Sequence, residues 1–143
     1  MLTTPIVTSL LTFSLLACGF AFLRGGVGER VGAGVILANL VLTLANEYLQ
    51  QNQVVTLAID GLTALALLAI AVRFASFWLG GVMLLYALQF SMHAFYFVAA
   101  RPRDLIHAVV NNLDFFAVSL CLVVGTTVAW RQQRKTPSGP NLR

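Results

Sequence analysis

Five stretches of the chain are almost unbroken runs of apolar side chains: Pro5–Leu23, Val31–Leu49, Val54–Val72, Phe77–Ala99 and Leu105–Trp130. Polar and charged residues gather in the short gaps between them and beyond Trp130. A hydrocarbon layer about 30 Å thick is crossed by roughly 20 helical residues, so each stretch predicts one spanning helix. Residues 54–99 as a single helix would run about 69 Å at ~1.5 Å per residue, so the chain must turn back near Arg73–Ser76. The pattern therefore predicts an all-α, polytopic transmembrane helical bundle of five spans over residues 1–130, followed by a basic flexible tail over 131–143. The helix ends carry their own signals. Thr4 precedes Pro5 as a cap followed by the residue favoured in a first turn. Asp104 stands where it can cap the fifth helix at the positive end of its dipole. Trp78 and Trp130 fall at one set of ends, Tyr48 and Tyr96 at the other, as two aromatic belts would require.

Within the apolar runs, the polar residues recur at helical spacing. Residues three, four and seven apart share a face. Asn39, Thr43, Asn46 and Gln50 line up in the second helix, with Glu47 beside them. Thr56, Asp60 and Thr63 align in the third, Tyr86, Gln89, His93 and Tyr96 in the fourth, and His107, Asn111 and Asp114 in the fifth. Counted from the ends that carry Tyr48 and Tyr96, Asp60, His93 and Asn111 lie about 9–10 Å deep, His107 about 3–5 Å and Asp114 about 14 Å. Glu47 falls near the boundary. The stripes thus converge on one half of the bundle, while Ala64–Val72 and most of Ala117–Val124 keep the other half aliphatic. Ionisable groups inside a bilayer turn toward each other or toward a watery cavity, because acyl chains solvate neither charge nor hydrogen bond. The expectation is a polar network or cavity built from the second to fifth helices, with Asp60, Gln89, His93, His107, Asn111, Asp114 and Glu47 as ligand or relay candidates.

Composition strengthens the membrane reading. Hydrophobic residues make up 59% and charged residues 10% of 143. A water-soluble domain of that size has too much surface to hide so many apolar side chains. The formal charge of +4 does not point to nucleic acid, since the basic residues sit between the runs and in the tail. With five spans, Arg24, Arg30, Arg73, Arg131, Arg134, Lys135 and Arg143 share one side, and Arg101 and Arg103 the other. Positive loops stay in the cytoplasm, which predicts an outer N-terminus, an inner C-terminus and a polar network in the outer half. The first run has no basic residues before its apolar core, so it is expected to remain as a helix rather than be removed as a signal. The tail is expected to rest on anionic lipid headgroups.

Catalytic signatures are absent: the sequence has no GxSxG, HExxH, CxxC or phosphate-binding glycine loop. Cys18 and Cys121 lie deep in separate runs and read as inert thiols. Three readings follow. A binding, scaffolding or accessory subunit, with a membrane-protein partner or a second copy, fits a chain with no soluble domain and no catalytic metal or cofactor motif. Proton or solute transport would use Asp60, His93 and Asp114 as a relay. Haem b or a metal would use His93 and His107.

The run from Arg73 through Trp78 to Gln89 and His93, with Glu29-Arg30 and Asp60 upstream, resembles an uncharacterised family of small bacterial multi-span inner-membrane proteins. The likeness spans about the middle two thirds of the chain. It implies the helical-bundle fold and a bacterial inner (plasma) membrane, and it implies no activity.

Overall fold

A computed structural model of the chain describes residues 4–49, 52–102 and 104–135. Over these residues it forms five α-helices and no strand: α1 (Thr4–Arg24), α2 (Val27–Leu49), α3 (Gln53–Phe74), α4 (Phe77–Val98) and α5 (Leu105–Lys135). All five are long and apolar enough to cross a membrane. Each helix packs on its neighbours in sequence, α5 returns to pack on α1, and α2 touches α5 across the middle. The result is a closed ring in which neighbours in sequence run antiparallel and α5 closes the ring parallel to α1. Arg24, Arg30, Arg73, Arg131, Arg134 and Lys135 collect at one end, called here the basic end. Gln50, Arg103 and residues 136–143 of the expected tail lie outside the described residues.

Two boundaries differ from the sequence pattern, each for a local reason. The second helix begins at Val27, not Val31, so only Gly25 and Gly26 join it to α1. Glu29 makes this possible, because its Oε2 accepts the Gly26 backbone N–H at 3.0 Å. That contact satisfies a donor the first turn would otherwise leave open and sets a carboxylate at the positive end of the helix. The fifth helix runs past Trp130 to Lys135, so the first part of the expected tail is helical. Arg134 lies over the Trp130 ring at 4.2 Å, and Arg24 reaches the same ring at 5.2 Å. Elsewhere, Asn52 caps α3 by accepting the Val54 N–H, and Ala75 closes the α3–α4 turn in the left-handed region at φ 48°.

The core lies toward the basic end and is built from Ala17, Ala21, Ala33, Ile36, Leu67, Leu79, Val82 and Leu122 around Trp78. Sequence position places Trp78 in an outer belt; the structure buries it instead. Its indole lies against two glycines. A Cβ on Gly32 would come within 2.8 Å of the ring, and one on Gly125 would overlap it. The indole Nε1–H donates to Glu29 Oε1 at 3.0 Å. A bulky ring is accepted here because two helices present no side chain and a buried carboxylate takes its one polar atom. Tyr96 also turns inward, whereas Tyr48 is almost fully exposed. Around the outside, Leu16, Leu23, Val72, Phe77, Leu84 and Val98 are among the many large apolar side chains left uncovered.

Candidate functional site

At the end opposite the basic one, the polar stripes face inward and divide into two groups. The first joins α2 to α3. Asn39 Nδ2 donates to Thr63 Oγ1 at 2.9 Å, and Asn46 Nδ2 donates to Thr56 Oγ1 at 2.9 Å and to the Asn52 carbonyl at 3.0 Å. Each is an amide-to-hydroxyl bond between packed helices, which is a structural role.

The second group joins α3, α4 and α5. Asp60 is 1% exposed, and its Oδ2 shares a hydrogen bond of 2.5 Å with His93 Nδ1. His93 stacks on His107 with ring centroids 5.1 Å apart, and Tyr96 meets His107 edge-on at 4.9 Å. The Tyr96 hydroxyl donates to Asp104 Oδ1 at 2.6 Å, and the same oxygen accepts the His107 backbone N–H at 2.9 Å. Asp104 thus caps α5 as its position suggests, and also anchors α4. The Tyr96 hydroxyl, then the His107 amide, hold the Asp104 carboxyl below the usual carboxylate range. A carboxylate on one imidazole nitrogen fixes the ring's orientation and tautomer, which suits the pair to hold a proton or present a defined hydrogen-bonding edge.

Between these groups and α1 lies a cavity of about 580 Å³. Its polar lining includes Thr43, Glu47, Asp60, Gln89, His93 and Asn111. Thr56, His107, Asp104 and Asn112 complete that side. The opposing wall is aliphatic and aromatic: Val7, Leu10 and Leu11 from α1, Leu40 and Leu44 from α2, and Phe115 from α5. Of the residues singled out in sequence, Asp60, Gln89, His93, His107, Asn111 and Glu47 line this one space.

Asp114 does not. It is 3% exposed, and neither carboxylate oxygen has a hydrogen-bond partner among the described residues. It continues the α5 face that carries His107 and Asn111, within electrostatic reach of Asp60 and His93. Tyr86, buried on α4, lies within reach of both Asp60 and Asp114.

Sequence reasoning missed three contributors: Asn112, Tyr96 as an internal hydrogen-bond donor, and the share of α1 in the apolar wall. Tyr96 carried a usable signal, since it falls on the helical stripe of Tyr86, Gln89 and His93. No group of three His, Cys, Asp or Glu side chains comes together in metal-binding fashion among the described residues. The stacked His93 and His107 rings lie face against face, without the gap that a macrocycle ligated by both would occupy. No protein-family model, curated protein or solved structure matches the chain. Any functional reading therefore rests on the geometry alone.

Proposed function

We propose that this chain is a multi-pass protein of a bacterial inner membrane, N-terminus outside and C-terminus inside, whose outer cavity binds a small ligand. It would serve as a binding or accessory subunit rather than as an enzyme. Five apolar helices support the membrane placement. The gathering of arginines and lysine at one end supports the orientation.

One observation carries the ligand-binding reading. Thr43, Gln89, Asn111 and Asn112 line the cavity, yet none makes a side-chain hydrogen bond to another described residue. Asn39 and Asn46 on α2 do have partners. Holding a bundle together calls for paired amides. Unpaired amides around a cavity of this size, facing an apolar wall, are what a ligand site presents. A membrane-protein partner or second copy fits the same reading if it delivers or receives that ligand, and the basic residues beyond Trp130 suit anionic headgroups.

Two measurements test the reading. Asn112→Cys should react with a membrane-impermeant thiol reagent added outside intact cells, whereas Leu84→Cys, on the exposed apolar surface, should not. Native mass spectrometry after mild-detergent extraction should show a small molecule retained by the protein and lost from the Gln89→Leu/Asn111→Leu variant. No labelling from outside, together with a bare protein mass, would sink the proposal.

A proton-transfer role is the second reading, favoured by the unpartnered Asp114 within reach of the Asp60–His93 pair. The largely apolar core around Trp78 is what such a relay would have to cross to reach the basic end. Proton flux in proteoliposomes that disappears in Asp114→Asn would establish it.

A further inference from the structure

Resting on the ligand-binding reading, we propose that the cavity takes an amphiphilic organic amine, its protonated nitrogen set against Asp60 and the neighbouring amide oxygens and its apolar body along α1 and α2. The charges facing the cavity point this way. Among the described lining residues there is no Lys or Arg. Leaving Glu47 aside, the carboxylates of Asp60 and Asp104 face the imidazoles of His93 and His107. Two imidazoles at most offset two carboxylates, so with both carboxylates ionised this set is neutral when both rings are protonated and negative otherwise. Asp104 keeps its negative charge at neutral pH, since the Tyr96 hydroxyl and the His107 amide both favour the ionised form. Nothing described in the lining offers an anionic ligand a fixed counter-charge.

A second observation is independent of the lining. Asp114 is almost wholly buried, both its oxygens lack a hydrogen-bond partner among the described residues, and it sits within electrostatic reach of Asp60 and His93. Any charge it carries is negative, like that of Asp60 and opposite to that of a protonated His93, and acts through a medium that screens weakly. This favours a positive ligand above it and opposes a negative one.

The hydrogen-bonding groups match as well. An ammonium has three donors and no acceptor. Asp60 and the carbonyl oxygens of Gln89 and Asn111 lie on three different helices around one space and can accept them together. A polyol or another ligand polar on all sides would leave its hydroxyls against Val7, Leu10, Leu11 and Leu40 without partners. That wall suits hydrocarbon.

The test uses the full chain in zwitterionic lipid nanodiscs at pH 7, with empty nanodiscs as blank. Three probes of similar shape and different charge are titrated by calorimetry: phenethylammonium, 2-phenylethanol and phenylacetate. The ammonium should bind at least tenfold more tightly than the alcohol, and the carboxylate should not bind. Asp60→Asn should bring the ammonium down to the alcohol's affinity, while Asp60→Glu retains part of the preference. Should Asp60→Asn fail to fold, Leu11→Trp, which fills the cavity from α1 and leaves the Asp60–His93 pair alone, should abolish ammonium binding. Equal affinity for all three probes, or tighter binding of phenylacetate, overturns the amine assignment and leaves the cavity reading standing. Binding of none also overturns it, and the cavity reading is then decided separately by the Asn112→Cys labelling.

Discussion

Asp60 on α3 and His93 on α4 meet at 2.5 Å across thirty-three residues of sequence, and they do so at the edge of a cavity rather than in a sealed core. The bond ties α3 to α4, each of which supplies one titratable side chain to the cavity. Removing one partner strands the other in surroundings that hydrate it poorly. His93→Leu should therefore lower stability by about 1–3 kcal/mol, and Asp60→Asn by less, because the amide still bonds the ring. A double-mutant cycle on unfolding in mild detergent should give a coupling of about 0.6–2 kcal/mol. Zero coupling would mean that the two side chains are not bonded.

The amides of the bundle should separate into two classes under mutation. Asn39→Leu and Asn46→Leu each break a bond between α2 and α3 and leave a threonine hydroxyl without its donor, at a cost of about 0.6–2 kcal/mol. Gln89→Leu and Asn111→Leu remove groups with no hydrogen-bond partner among the described residues. They should leave the empty protein unchanged or more stable by about 0.5–2 kcal/mol while removing ligand binding. Thermal unfolding of the four variants decides the matter. Equal losses at all four positions would assign the cavity amides a structural role.

Acid should expose the link between α4 and α5. Because the Asp104 carboxyl is held below its ordinary range, first by the Tyr96 hydroxyl and then by the His107 amide, the contribution of this group is present above the ordinary carboxylate pKa. It is lost as pH falls through the lower, folded-state value. Tyr96→Phe removes the larger cause. The variant should be less stable than the wild type at pH 7 and should lose less on acidification, so that the two stability curves converge at low pH. Melting temperatures from pH 7 to pH 3 test this, and parallel curves for the two proteins would count against it.

At the basic end, Trp78 acts as a wedge whose space is set by Gly32 and Gly125. Gly125→Ala should cost about 1–3 kcal/mol, since the added methyl overlaps the indole and the neighbouring helices must move apart. Pairing it with Trp78→Leu should recover part of that loss. Glu29→Ala should destabilise through two bonds at once, those to the Gly26 amide and the Trp78 indole. If Gly125→Ala melts like the wild type, the close packing described here is wrong.

The helices themselves were legible because lipid-length apolar runs and turn residues are local signals, and four of the five helices begin within a residue of the expected position. The exception, α2, was obscured by Glu29 and Arg30, whose charges suggested a loop. Glu29 sits inside the helix because it serves both the backbone of the turn and a tryptophan 49 residues away, and the second of these partners is not visible in a local pattern. Trp78 was misplaced for the same reason: its terminal position suits a belt, and only the glycines of two other helices reveal the slot. The inward stripes were readable from helical spacing, which is why six of the seven candidates share one cavity. Which stripes touch was not readable, since spacing fixes a residue's face but not the order of helices around the ring. Asp114 shows the limit most clearly. It has the same spacing as its cavity-lining neighbours, and only the packing of the other helices encloses it.

Ring closure by α5 also bears on how the protein is made. Ribosomes deliver this helix after the hairpins α1–α2 and α3–α4, each joined by a two-residue turn. Until it arrives, Asp60, Gln89 and His93 look onto lipid with no α5 beside them. A chain stalled before α5 would thus leave the polar side of α3 and α4 uncovered, and the arrival of α5 conceals it.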